Sequence, residues 1–194
     1  MNQPTSPLHE RAADNLRYIR ETMERAAEFT AVPGYGGMAM GASAVAFGVL
    51  AGMQTDPQRW LRVWLADLAI GVAIAAVAMT LKAKRSRAPL FSGPGRKFLL
   101  AFAPPVAAGG VLTVALGLAH QFALLPPTWL LLYGAGVTAG GSASIRLIPI
   151  MGVTFFTLGV MAVAVPEWGN LMMILGFGVA QIVFGALIAR RHGG

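Results

Sequence analysis

The sequence predicts an all-α integral membrane protein, a six-helix bundle of three tandem helical hairpins behind an N-terminal cytoplasmic amphipathic helix. Three observations carry that prediction. Hydrophobic residues fill 56% of the 194 positions and charged residues only 12%, against roughly 25% charged in an ordinary soluble domain, so lipid is the main solvent. Six segments stay apolar over the ~20 residues a helix needs to cross a hydrocarbon core of about 30 Å. Between the members of successive pairs the same device recurs, proline followed by tryptophan, in TDPQRWL, LLPPTWL and VPEWGNL.

Residues 1–32 form the leader. Ser6 can cap a helix and Pro7 suits its first position. Leu8, Ala12, Leu16, Ile19, Met23 and Ala26 then recur at steps of four and three, which predicts a helix within residues 7–30. Its apolar seam is narrow, and Arg17 to Glu21, Arg20 to Glu24 and Glu21 to Arg25 pair along its polar sides. Balanced charge argues against an anionic-lipid anchor, which would be Lys/Arg-rich. The seam is expected to pack on its own bundle or to pair with a homo-oligomeric or membrane-protein partner. The start also lacks the basic region and short apolar core of a cleavable signal peptide.

Hairpin one occupies 33–81, with spans at about 33–53 and 60–81. A basic loop, 82–97, follows with Lys82, Lys84, Arg85, Arg87, Arg96 and Lys97. Hairpin two, 98–144, holds spans at about 97–119 and 127–144, and hairpin three with its basic tail, 145–194, holds spans at about 146–165 and 168–189. The positive-inside rule keeps the basic loop in the cytoplasm. An even number of spans then puts both termini there, leaving Arg59 and Arg62 as the two of 15 Lys and Arg near the outer face. The expected location is a bacterial inner membrane, and the net charge of +7 reads as this flanking bias with no nucleic-acid partner.

The hairpins also align with one another. Odd-numbered helices pair Gly41 with Gly48, Gly110 with Gly117 and Gly152 with Gly159, always seven apart. Such glycines share one helix face and let a neighbouring backbone approach closely, so all six are expected to pack helices. Even-numbered helices align on AIGV, GAGV and GFGV. Trp60, Trp129 and Trp168 are expected as anchors at the outer headgroups. In FLLAFAPPVAAGG, a helix beginning near Phe98 would be broken or kinked by Pro104 and Pro105; a short re-entrant segment before a helix starting at Pro104 fits equally well.

Few residues could carry chemistry. With no cysteine, disulfides, thiolate metal sites and cysteine nucleophiles are excluded. His9, His120 and His192 form no ligand-spaced pair, the glycine-rich patches follow no strand, and no cofactor is implied. Asp67 is the clearest functional candidate, because an ionisable residue inside a span is one by default. Its expected partners are Arg59, Arg62 or His120, or a hydrogen bond to a facing helix. Gln181 is the second polar candidate, expected to bond across helices. Ser43 and Thr154 are expected to be packing residues, and Arg146 to reach the cytoplasmic headgroups.

The stretch GVMAVAVPEWGNLMMILGFGVAQIVFGALIARR resembles the HdeD-type acid-resistance membrane proteins: a Gly-started helix, a proline turn, an apolar helix with Gly178 and Gly185, and a basic end follow in that family's order. The resemblance covers roughly residues 38–191 and implies six spans in three two-helix repeats, with no catalytic residue to carry over. The expected function is therefore non-enzymatic, that of a membrane scaffold, accessory or stress-response component. The alternative is a small transporter or channel, favoured by the glycine-lined helices, the Pro-Pro pair and Asp67. Against it, few polar residues are available to line a pore.

Overall fold

The structure, a computed structural model, describes residues 14–18, 33–86, 93–142 and 144–192. Six helices among them are long and apolar enough to cross a membrane. They are α1 (Gly34–Gly52), α2 (Pro57–Ser86), α3 (Gly93–Leu118), α4 (Leu125–Gly141), α5 (Leu147–Ala164) and α6 (Pro166–Arg191). Residues 14–18 are helical and exposed, Leu16 at 68%. The rest of the expected leader helix, Ile19 and Met23 included, lies outside the described residues.

Local chemistry explains the helix ends. Asp56 Oδ1 accepts the Gln58 backbone N–H at 3.0 Å, filling one of the donor vacancies that every helix N-terminus leaves, with Pro57 in the first position. Pro126 and Pro127 open α4 and Pro166 opens α6 in the same way. At the end of α3 the chain reverses through His120, the one non-glycine residue with positive φ (57°) among those described. The Gln121 N–H then reaches back to the Leu116 carbonyl at 2.8 Å, a C-terminal cap that needs this left-handed residue.

Two sequence expectations are corrected along α2 and α3. Of the basic stretch, residues 82–86 and 93–97 are helical, since α2 runs on through Ser86 and α3 begins at Gly93. Pro104 and Pro105 neither break α3 nor mark its start; both lie inside one continuous helix.

Neighbouring helices are not simply hairpin partners. α1 packs on α2 and along most of α6, and α4 packs between α3 and α5. The order around the bundle is therefore α2, α1, α6, then α5 and α4, then α3, and α2 and α3 do not pack along one another. Close backbone approach occurs across hairpins. A Cβ on Gly41 would lie 2.6 Å from the Gly178 carbonyl oxygen of α6, and one on Gly152 would lie 2.8 Å from the Gly134 carbonyl oxygen of α4. These are small-residue interfaces, which let helices associate in lipid where apolar burial gives no drive. Around them sits the core, with Phe155, Leu125, Leu130 and Ile148 fully enclosed.

The glycine register holds unevenly. Gly48 faces Trp64 and Gly159 faces Leu131, whereas Gly117 has only an ordinary contact with Leu61 at 3.9 Å. Gly110 corrects the expectation, because a Cβ there would meet nothing within 4 Å, and it is the adjacent Gly109 that lies against Trp129 at 3.2 Å. The reason is position in the bundle. Only 11% of the apolar stretch of α2 or α3 is buried, against 33–39% in the other four spans, so α3 has a neighbour on one side only.

Candidate functional site

The gap between α2 and α3 is a groove of about 280 Å³. It runs from Trp60 and Leu125 near the proline turns to Met79 and Ile188 near the opposite end. Nineteen residues of α2 separate Trp60 from Met79, so the groove is ~29 Å long at 1.5 Å per residue. That is close to the thickness of a hydrocarbon core. Its back wall is aromatic: Tyr133 packs against Phe155, Phe177 and Phe102 with ring centroids 4.7, 5.0 and 5.6 Å apart.

The helix that forms the floor is irregular. Residues Ile174–Ala180 of α6 are a π-helix, an i→i+5 winding that is rare and gathers at functional sites. Gln181 follows it directly. This side chain lines the groove and is 7% exposed. Its amide N–H donates to the Tyr133 hydroxyl of α4 at 3.4 Å, and its Oε1 has no hydrogen-bond partner. A buried amide oxygen without a donor is costly.

Asp67 also lines the groove and is buried, but its expected cationic partners are elsewhere. Oδ1 accepts the Ser43 hydroxyl of α1 at 2.6 Å. Arg59 instead pairs with Asp56 at 3.7 Å and the Arg62 guanidinium donates to the Gln58 carbonyl. His120 sits exposed in the turn after α3, its ring 6.1 Å from that of Phe122. The structure thus gives Asp67 the hydrogen bond to a facing helix and brings neither His120 nor an arginine to it. Ser43 has a bonding role that packing alone would not predict, whereas the Thr154 hydroxyl turns back to the Ile150 carbonyl of its own helix. Arg146 is exposed just before α5.

Trp168 is 51% exposed, Trp60 and Trp129 are half-buried, and Trp64 is 6% exposed. The indole N–H groups of Trp60 and Trp64 donate to the same Asn170 Oδ1, at 2.8 and 3.0 Å. The Asn170 amide in turn donates to the Gly48 carbonyl at 3.1 Å. One side chain of α6 therefore ties together α1 and α2. Trp129 donates to the Thr113 hydroxyl at 2.9 Å, and the Thr113 hydroxyl donates in turn to the Gly109 carbonyl. The i, i+4 pair of tryptophans facing a lone Asn in an apolar stretch is the sequence signal that would have found Asn170.

The three proline turns meet at one end of the bundle, where Gln54, Pro57, Phe122, Pro126, Pro166 and Asn170 border a shallow depression. Among the described residues no group of three or more His, Asp or Glu could hold a metal ion. No family model, curated protein or solved structure matches the chain.

Proposed function

We propose that this multi-pass membrane protein is a non-catalytic accessory component whose working feature is the side-open groove between α2 and α3, which holds the hydrocarbon part of a lipid-phase molecule. The observation that carries the reading is the groove itself: membrane-length, apolar, walled by all six helices and open toward lipid. Ligand sites are of this kind, mostly apolar with a few placed polar groups. A conduit for ions or polar solutes would need rings of carbonyls or charges along its path, and the groove offers Asp67 and Gln181.

The proposed setting is a bacterial inner membrane with both termini cytoplasmic. Support comes from the turns gathered at one end and the cations Lys84, Arg96, Arg146 and Arg190 at the other. Exposed Leu16 favours a leader that pairs outside its own bundle, with a second copy or another membrane protein. A stress-response role rests on the HdeD-type resemblance of the last hairpin alone.

The test uses tryptophan fluorescence in nanodiscs. Trp60, Trp64 and Trp129 line the groove, so in a Trp168→Phe background a brominated hydrocarbon chain should quench them beyond the level set by lipid around the bundle. Gly71 also lines the groove, and a Cβ there would meet nothing within 4 Å. Gly71→Phe should therefore fill the groove without disturbing the fold and remove the excess quenching. Quenching that Gly71→Phe leaves unchanged would refute the reading, as would flux of protons or ions through reconstituted vesicles.

A further inference from the structure

Gln181 lies fifteen residues from Pro166 and ten from Arg191, the ends of α6, so it sits ~22 Å and ~15 Å from them along the helix. That is deep within the hydrocarbon. Its amide oxygen is buried and unpartnered in the wall of an apolar groove, and water, the usual remedy for such an atom, is scarce at that depth. A partner from the lipid phase that brings an O–H or N–H donor would satisfy it.

Depth restricts what that partner is. A phosphate or ammonium headgroup is strongly disfavoured at mid-membrane, which excludes an ordinary phospholipid head at Gln181. What suits the site is uncharged and mostly hydrocarbon, with one neutral donor. Tyr133 and Phe177 flank the Gln181 position with ring centroids 5.0 Å apart, giving that donor apolar walls and shielding its bond from competition.

We propose that the groove binds a neutral hydroxyl-bearing lipid, such as a long-chain alcohol or a prenol, whose O–H donates to the Gln181 side-chain oxygen while its chain lies along α2 and α3. This rests on the groove-binding reading above and adds the chemical class of the ligand. Asp67 marks a second polar position in the same groove. It stands opposite Ser43, and the Gln181 backbone lies between the levels of Gly41 and Gly37, two to six residues earlier in α1 and hence ~3–9 Å away along the membrane normal. Ser43 already donates to Asp67, whereas the buried Gln181 oxygen has no donor at all.

The experiment compares three probes on the Trp168→Phe protein in nanodiscs: dibrominated stearyl alcohol, its methyl ether, and dibrominated phosphatidylcholine. The ether keeps the chain and removes the donor. The alcohol should quench at about tenfold lower concentration than the ether, the change one satisfied buried hydrogen bond brings, with phosphatidylcholine weakest. Gln181→Leu should erase the alcohol's advantage while leaving chain binding in place, and Gly71→Phe should abolish both. Equal potency of alcohol and ether, with Gly71→Phe still blocking, would overturn the hydroxyl inference and leave the groove function standing. Equal potency of all three probes regardless of Gly71→Phe would overturn both. Disulfide cross-linking between copies through a cysteine at Val72, accompanied by loss of probe access, would assign the groove to a second copy and likewise refute the lipid.

Discussion

The Ser43 hydroxyl donates to Asp67 Oδ1 at 2.6 Å, joining α1 to the one buried carboxylate among the described residues. No cation shares that bond, so the carboxylate depends on a single neutral donor from the neighbouring helix. Removing the donor alone leaves a buried acceptor unmet, whereas replacing both partners removes the problem.

Ser43→Ala is therefore expected to destabilise the bundle by ~1–3 kcal/mol, the cost of leaving a buried polar group unsatisfied. The double change Ser43→Ala with Asp67→Leu should recover much of that loss, and Asp67→Asn, which keeps an acceptor oxygen, should stay close to wild type. Thermal unfolding in detergent measures all three. A silent Ser43→Ala, or losses that simply add in the double variant, would show that the two residues are not coupled.

Asn170 makes a larger claim on stability, since it serves the indoles of Trp60 and Trp64 and the Gly48 carbonyl at once. Asn170→Ala should cost at least the ~1–3 kcal/mol of leaving one buried polar group unsatisfied. It should also shift the emission of the groove tryptophans as their N–H groups lose a common acceptor. Asn170→Asp keeps the oxygen for the indoles and loses the bond to Gly48, so an intermediate effect is expected. Unfolding temperatures and fluorescence spectra of the two variants give the check.

The six spans and their proline-capped turns were legible in the sequence because hydropathy and proline report on solvent and on backbone, and both act locally. Which helix packs against which was not. Gly41 and Gly152 signal close approach, but nothing in their spacing says that the approaching backbones are Gly178 and Gly134 of other hairpins. The groove was hidden for the same reason: residues such as Leu68 and Val72 that line it are as apolar as those facing lipid. Gln181 stood out as a polar residue in a span, yet neither its orphan oxygen nor the π-helix before it is announced by any residue preference in ILGFGVA. Trp60 was read as an anchor because tryptophan near a span end usually is one, a tendency that says nothing of the bond to Asn170 it shares with Trp64.

The uneven glycine register gives a graded expectation. Leu at Gly41 or Gly159 must displace the Gly178 and Ile182 region or Leu131, respectively, at an overpacking cost of ~1–3 kcal/mol or more. Leu at Gly110 meets open space and should change stability by only a few tenths of a kcal/mol, within the usual range for a substitution on an outer face. Unfolding of the three variants under one detergent condition compares them directly. A Gly110→Leu as damaging as Gly41→Leu would mean that α3 is covered by a further subunit.

Orientation is tested by labelling, and the structure selects the positions. Asn170 faces the turn end, but its side chain holds three helices together, so a cysteine there would report on a damaged bundle. Glu167, one residue into the same turn, is exposed and makes no hydrogen bond or ion pair among those described. Lys84, near the far end of α2, is also exposed. The chain contains no native cysteine, so single Glu167→Cys and Lys84→Cys variants carry the only thiol. In intact cells a membrane-impermeant maleimide should label Glu167→Cys and miss Lys84→Cys, and permeabilisation should make the two equal. Labelling of Lys84→Cys alone in intact cells would invert the topology, and labelling of both would mean that the two ends of α2 lie on one side of the membrane.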